Sequence, residues 1–593
     1  MQSESRICQN CKSDFIIEPE DFLFYERMQV PPPTFCPDCR LQRRLVWRNE
    51  RALHKRICDL CKTSRLAVYP SGTPFPVFCP ECFWSDKWDP MEFGVKLDFS
   101  RPFFEQYREL LQKVPRQGLM HEVSVQNATY ANYVDESRNV YLSYSVIKNS
   151  ENVFYSKNVD KSRWIFDSFD ITNSERCYQT VAGDKNYGCA FAYFSRECID
   201  CSFIYDCVNC KDCFLCTNLR NKEFYIENKP YSKEEYIKKV EEMKRGGFFA
   251  EENVKKRFSD LCARAVYKYA RVTNSMNSTG DDIRDSKNAR LTFSSYGCEN
   301  GKYIFRTISM KDYMDTTNAG FAELFYEFIG GGAHFSQKVC FCSYGQRSLS
   351  DVYYIDSCNS SSYLFGCIGV KNKQYCILNV QYMKDEYESL VPRVIEHMNK
   401  MPYVDRKGRI YRYGEFFPIE LSPFAYNETI AQEYFPLTKE EVTERGYVWK
   451  NQEEKEYVIT RKPEDLPDSL DEKNDIVLKE TIGCAHEGKC AHQCTSAFRI
   501  VAEELELYRK MRIPFPRLCP NCRHYERLSW RNPLKLWKRK CQCAGVASEN
   551  GIYSNFGSHF HKEDHCPNEF DTPYSPERTE VVYCEQCYQA EVV

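Results

Sequence analysis

The sequence has no apolar run of about 18 residues, the length a helix needs to cross a bilayer. With 28% charged residues and a mean hydropathy of -0.60, it reads as a chain with no membrane-embedded part. Its start, MQSESRICQNC, lacks the basic stretch and apolar core of a secretory leader, so a cytoplasmic setting is expected. A large charge of either sign is missing too: 81 Lys and Arg face 84 Asp and Glu, for a net charge of -3. Bulk electrostatics therefore favour neither nucleic acid nor membrane, and any basic surface has to be local. Also missing are a P-loop, a dinucleotide fingerprint and a nucleophile elbow. Gly330-Gly331-Gly332 is a lone glycine run that reads as a tight turn. Asp167, Asp170, Asp351 and Asp356 are spaced as well for repeat turns as for paired catalytic carboxylates. A non-enzymatic protein is expected.

What stands out is cysteine, 33 of them in 593 residues. A small secreted chain with this many would be a disulfide scaffold, but this chain is large, and many of its cysteines sit as C-x2-C pairs. That spacing suits two thiolates on one metal ion. The length exceeds what one hydrophobic core supports and points to several domains.

Two duplications organise the chain. At a constant offset of 483, Cys11, Phe15, Tyr25 and Met28 meet Cys494, Phe498, Tyr508 and Met511. In the same register Cys36-Pro37-x-Cys39-Arg40 meets Cys519-Pro520-x-Cys522-Arg523, Trp47-Arg48-Asn49 meets Trp530-Arg531-Asn532, and Cys58 meets Cys541. The middle repeats at an offset of 151, with Cys189, Cys207 and Cys216 falling on Cys340, Cys358 and Cys367. Inside each middle copy, short aromatic or β-branched segments such as Asn152-Val153-Phe154 and Arg163-Trp164-Ile165 recur every 10 to 14 residues between Asn, Asp, Ser and Lys. This rhythm predicts a β-solenoid, resembling a β-helix, in which each coil is stable only beside its neighbours. Helices are expected at Phe103–Val114, from a Ser232/Glu235 capping box to about Arg245, around Glu251–Tyr269, and from Lys384.

The expected fold class is mainly β with some α: terminal zinc-ribbon or treble-clef modules flanking a duplicated solenoid with capping helices. The expected segments are a treble-clef-like module over residues 1–50 and a ribbon over 51–95. A linker helix over 96–120, solenoid copies over 121–272 and 273–402, and a connector over 403–480 follow. A second treble-clef-like module over 481–540 and a second ribbon over 541–593 complete the chain.

Zn²⁺ takes four soft ligands in a tetrahedron, and two C-x2-C knuckles supply them. Cys8, Cys11, Cys36 and Cys39 form one such set. Cys58, Cys61, Cys79 and Cys82 form another, with a 17-residue gap within the zinc-ribbon range. The C-terminal copies are less regular. Their expected sets are Cys490, Cys494, Cys519 and Cys522, then Cys541, Cys543, Cys584 and Cys587, with Cys484, His486, His492, His559, His561, His565 and Cys566 near enough to substitute or to form an extra site. About four closed, structural Zn²⁺ ions are expected.

At Cys8-x2-Cys11, Phe15, Glu20, Phe24-Tyr25, Pro33, Cys36-Pro-Asp-Cys39-Arg40 and Arg43-Arg44, the sequence resembles a zinc-ribbon, treble-clef-like family. With Trp47-Arg-Asn-Glu and Phe99-Ser-Arg-Pro-Phe-Phe104, most of the chain is similar to large zinc-ribbon proteins of uncultivated small-genome bacteria. The resemblance implies zinc binding and little about role.

Cys198, Cys201, Cys207, Cys210, Cys213 and Cys216 form a three-residue comb with Ile204 in the vacant place. It comes near an iron–sulfur run but lacks that run's x3 step and Pro. The second copy has Ser361 and Leu364 where Cys210 and Cys213 stand, which favours a packed interior over a metal or redox site. Lastly, each knuckle is followed by a basic segment with tryptophan. Arg40, Arg43, Arg44, Trp47 and Arg48, with Arg523, Arg527, Trp530 and Arg531, suit phosphate neutralisation and base stacking. They suit equally a helix face paired with acids elsewhere. The expected partner is nucleic acid or ribonucleoprotein; the alternative is a protein-interaction scaffold using the aromatic-rich solenoid surface.

Overall fold

The structure, a computed structural model, describes residues 2–122, 124–244, 247–332, 334–451, 457–469, 474–543, 555, 557–562 and 564–593. The end of the helix expected to reach about Arg245 and parts of the 403–480 connector lie outside these residues. The fold is mainly β with some α. The chain divides into two compact units, and each is assembled from distant stretches. The first contains Met1–Met120, Ala270–Asn451 and Pro533–Leu536; the second contains His121–Tyr269, Gln452–Asn532 and Trp537–Val593. Thus the N-terminal cysteine modules share a unit with the second middle copy, and the C-terminal modules share one with the first.

In the second unit the middle copy winds so that most short strands pair in parallel with the stretch 12 or 13 residues further on. Ile165, for example, lies opposite both Val153 and Cys177. Eight parallel strands close into a barrel. In order they are Glu175–Tyr178, Arg163–Phe166, Glu151–Phe154, Arg138–Ile147, Lys157–Asp160, Phe169–Thr172, Val181–Asp184 and Ala190–Tyr193, the last pairing back to the first. Where the repeat predicts a β-solenoid resembling a β-helix, the strands observed close into a barrel. The first unit's copy is a nine-stranded sheet whose strands pair in parallel at steps of 11 to 14 residues, apart from its last, antiparallel pair, and Gly330-Gly331-Gly332 ends its long strand Glu299–Gly332 instead of forming a turn.

The three-residue rhythm has a backbone cause. From Trp164 to Asn221 every third residue takes the left-handed conformation, as at Asp167 (φ 47°), Asp170 (φ 55°), Asn173 (φ 49°) and Asn209 (φ 52°). That region costs most side chains of order 1–2 kcal/mol, and Asn and Asp tolerate it best. Their abundance at these corners follows. They also ladder between coils, with Asn209 Nδ2 donating to Asn221 Oδ1 at 2.7 Å.

The residue after each corner points inward. Ser150, Ser162 and Ser174 stack 12 apart, and each hydroxyl accepts the next coil's backbone N–H at 3.0–3.2 Å while donating to a carbonyl two or three residues back. Val153, Ile165, Cys177, Cys189, Cys201 and Cys213 fill a neighbouring column, all fully buried. The thiols behave there as small apolar groups with weak donors: Cys201 Sγ lies 3.3 Å from Ile199 O and 3.6 Å from Cys210 O. Cys201→Ala should therefore cost only about 1–2 kcal/mol, the scale of a small cavity, and leave bound metal unchanged. Denaturant melts and metal analysis of the full chain check this; loss of an ion would show that the comb ligates.

Helices occupy Phe103–Lys113, Lys233–Lys244, Gly247–Ala263 and Lys384–Lys400. Ser232 and Glu235 make the expected reciprocal cap, with Glu235 N donating to Ser232 Oγ at 3.3 Å and Ser232 N to Glu235 Oε2 at 3.2 Å.

Candidate metal centres

Four modules share one local plan, a two-stranded hairpin followed by a helix that starts on a cysteine. The hairpins are Glu4–Ile7 with Asp14–Ile17, His54–Ile57 with Ser64–Ala67, Ile482–Gly483 with Ala497–Phe498, and Trp537–Lys540 with Glu569–Thr572. The helix N-caps are Cys36, Cys79, Cys519 and Cys584. Their backbones match closely, with φ from -65° to -63° and ψ from 160° to 168°. In three of the four, proline fills the first helical position, where no N–H is needed.

One hydrogen bond recurs in all four. The N-cap amide donates to the hairpin cysteine: Cys36 N to Cys8, Cys79 N to Cys58, Cys519 N to Cys484 and Cys584 N to Cys541, each at 3.2 Å. Amides aimed at sulfur in this way stabilise thiolate. The sulfurs gather into quartets: Cys8, Cys11, Cys36 and Cys39; Cys58, Cys61, Cys79 and Cys82; Cys484, Cys494, Cys519 and Cys522; and Cys541, Cys566, Cys584 and Cys587. Within each, the sulfurs lie within 4.8 Å of one another. A tetrahedral ion with bonds of about 2.3 Å needs sulfur–sulfur edges of about 3.8 Å. The Cys61–Cys79, Cys484–Cys522 and Cys566–Cys584 separations are 3.9, 3.8 and 3.8 Å. All 33 cysteines are free thiols, and each quartet can hold a metal ion.

In the absence of metal these thiols share protons unevenly. Hydrogen bonds from Cys36 and Cys39 pull the Cys8 thiol far down, and Cys484 pulls Cys519 down to about 3. Their donors Cys36 and Cys484 are pushed up correspondingly. A metal ion would displace the remaining protons, so occupancy falls as pH falls.

The N-terminal quartets match the residues expected from spacing, whereas the C-terminal quartets correct them. Cys484 stands where Cys490 was expected, because only Cys484 occupies the hairpin position equivalent to Cys8 and accepts the N-cap amide. Cys566 stands where Cys543 was expected, in the place of Cys61. Cys490 instead joins His486, His492 and Cys522 in a second close group. Cys543 lies against His559, 3.3 Å from its Nδ1. His565 is exposed.

The basic segments turn inward. Of the nine residues expected to meet a polyanion, Arg40, Arg43, Arg44, Trp47, Arg48, Arg523 and Arg527 are buried, and Trp530 and Arg531 are half-buried. Within the first unit, helix Pro37–Leu45 aims its arginines at acids of the coiled copy and the connector. Asp315 bridges Arg40 (2.8 Å) and Arg44 (3.0 Å), while Glu327 bridges Arg43 (2.6 Å) and Arg44 (3.1 Å). Glu415 completes the cluster on Arg43 at 2.8 Å. Three guanidiniums meet three carboxylates, so the charges of the buried cluster balance, although Arg43 Nε and Arg44 Nε and Nη2 are buried without a hydrogen-bond partner. Burial works against the Arg43 charge, but attraction from Glu327 and Glu415 outweighs it and holds the guanidinium protonated.

The second unit repeats the device. Asp167 bridges Arg523 (2.6 Å) and Arg527 (2.8 Å), and Glu504 contacts Arg523 at 3.3 Å. Asp167 and Asp315 both sit at left-handed corners, φ 47° and 51°. Arg48 pairs with Glu50 at 2.6 Å and donates to Gly330 O at 3.0 Å, Trp47 packs on Phe417, and Trp530 stacks on Tyr193 with centroids 4.0 Å apart. The arginines and tryptophans therefore fasten each module to its own unit. Asp356 is likewise engaged, with Arg116 at 2.9 Å. The arginine positions are legible from the linear pattern, but Asp315, Glu327 and Asp167 are not, since they lie more than 270 residues from Arg40, Arg43 and Arg523.

Comparison with protein-family models, curated proteins and solved structures gives no match. Among the described residues no helix is long and apolar enough to cross a membrane.

Proposed function

We propose that this is a non-enzymatic zinc protein whose ions are structural, each closing a hairpin–helix module that locks onto a β-solenoid-like frame. The observation that carries this reading is the set of four cysteine quartets built on one N-cap hydrogen bond. A shell of four thiolates leaves no open position for water or substrate, so the ion serves folding. Soft sulfur in tetrahedral spacing favours Zn²⁺, and 33 free thiols agree with a reducing, cytoplasmic setting. The hairpin–helix plan supports the zinc-ribbon, treble-clef-like resemblance. The frame's solenoid character rests on the 12-residue step, which continues beyond the closed barrel through Ser202–Tyr205, Lys211–Thr217 and Glu223–Ile226.

Burial of the seven basic and aromatic residues moves the reading away from nucleic acid and toward a protein-interaction scaffold. Coil faces support the latter, with Tyr187 and Ile199 paired on successive coils and both exposed. Metal analysis of full-length protein purified without added metal should find at least four Zn²⁺ and no iron. Fewer than two Zn²⁺, or visible iron–sulfur absorbance, would sink the zinc reading. Copurification of a defined protein after nuclease treatment would support the scaffold; steeply salt-dependent RNA or DNA binding would count against it.

A further inference from the structure

Both C-terminal modules carry an insertion at the same structural point, between the two hairpin ligands. Cys8 and Cys11 are three residues apart, whereas their counterparts Cys484 and Cys494 are ten apart. Cys58 and Cys61 are also three apart, but Cys541 and Cys566 are 25 apart. The two insertions differ in length and sequence, yet each brings one cysteine and two histidines to the quartet: Cys490, His486 and His492 in one, Cys543, His559 and His561 in the other.

In the first, His486, Cys490, His492 and Cys522 place their ligand atoms within 4.8 Å of one another, and Cys522 also belongs to the adjoining quartet. Cys522 Sγ lies 3.6 Å from Cys490 Sγ on one side and 3.5 Å from Cys519 Sγ on the other. The Nδ1 atoms of His486 and His492 are buried with no hydrogen-bond partner. A buried, unsatisfied imidazole nitrogen is costly unless something binds it. The His492 ring is held by stacking on Tyr525, centroids 5.3 Å apart and nearly parallel.

In the second, Cys587 Sγ belongs to the quartet and also lies 3.3 Å from His561 Nε2, while Cys543 Sγ lies 3.3 Å from His559 Nδ1. The far nitrogen of each ring is engaged: His559 Nε2 with Glu591 Oε1 at 2.7 Å, His561 Nδ1 with Asp564 O at 2.6 Å. Carboxylate or carbonyl behind imidazole is the arrangement that orients metal-bound histidine and fixes its tautomer.

We infer that each C-terminal module holds two Zn²⁺ ions that share one thiolate, Cys522 in one and Cys587 in the other. The second ion of each pair is bound by two cysteines and two histidines. Each pair then has five thiolates and two imidazoles around two ions. Sharing leaves one uncompensated negative charge per pair, where a lone quartet with zinc leaves two. The N-terminal modules lack the insertions and hold one ion each, so the chain carries six Zn²⁺.

This inference rests on the zinc reading above but can fail separately from it. Native mass spectrometry of the full chain, compared with its denatured mass, should show six Zn²⁺. His486→Ala/His492→Ala and His559→Ala/His561→Ala should each show five, and the combination four. Hydrogen exchange over Pro520–Ser529 and Glu585–Val592 reports whether the quartets stay folded in these variants. Cadmium-loaded wild type should give two pairs of cadmium NMR signals coupled through the shared sulfurs, beside two uncoupled ones. Four Zn²⁺ in the wild type, an unchanged count in either double variant, or six uncoupled cadmium signals would overturn the inference. Only a count below two would overturn the zinc reading as well.

Discussion

Glu327→Gln should destabilise the first unit by about 3–5 kcal/mol, the cost of removing one partner from a fully buried ion network. The substitution preserves shape and leaves Asp315 and Glu415 in place, but the cluster of three guanidiniums then faces two carboxylates. Arg43 and Arg44 are both completely buried, so water cannot screen the excess charge. Burial already lifts the Glu327 carboxyl above its ordinary value, with Arg43 and Arg44 pulling it back. The arginine partners favour the charged carboxylate against that burial, and they in turn depend on it. Hydrogen exchange of full-length protein should quicken along Pro37–Leu45 and Glu299–Gly332. A loss below about 1 kcal/mol, the scale of an exposed pair, would mean that the module is not fastened through this cluster. Asp167→Asn is the equivalent test in the second unit, where Asp167 bridges Arg523 and Arg527.

How far the sequence revealed this arrangement depended on whether the signal was local. The N-terminal quartets were legible because Cys8-x2-Cys11 and Cys36-x2-Cys39 encode knuckles by spacing alone. Cys484 was not, since its equivalence to Cys8 is spatial: the insertion holding Cys490 breaks the spacing, and only the amide of Cys519 shows which sulfur fills the place. The three-residue comb was visible, and so was its packed character, through the Ser361 and Leu364 replacements. Its origin in left-handed corners at every third residue was not, because Trp164, Arg176 and Phe203 adopt them beside the Asn and Asp that prefer them. The closed barrel was hidden for a similar reason, as strand closure depends on which coils meet. For the basic segments, charge was plain but partners were not. Asp315 and Asp167 look like ordinary turn residues, and nothing in the linear pattern tells Arg43 that Glu327 waits 284 residues on.

Removing zinc should undo more than the modules themselves. Helix Pro37–Leu45 has only nine residues, and its N-cap Cys36 makes no side-chain hydrogen bond to the first turn. A helix this short is marginal in water, so an ion held through Cys36 and Cys39 would anchor its start. The same helix carries Arg40, Arg43 and Arg44. If it frays, Asp315, Glu327 and Glu415 lose their counter-charges in a buried site, and that penalty falls on the coiled frame. A structural zinc site contributes about 10–16 kcal/mol of apparent binding energy near neutral pH, comparable to the whole stability of a typical domain at about 5–15 kcal/mol. Full chelation should therefore unfold residues 8–45 and also open Glu299–Gly332, with exchange in that strand rising by orders of magnitude. Acid should act in the same direction, because protons compete with the ion for the thiolates. Restoring Zn²⁺ should restore protection in the strand together with the knuckle. If a strong chelator strips the metal while exchange along Glu299–Gly332 stays unchanged, the zinc closes its own module and nothing more.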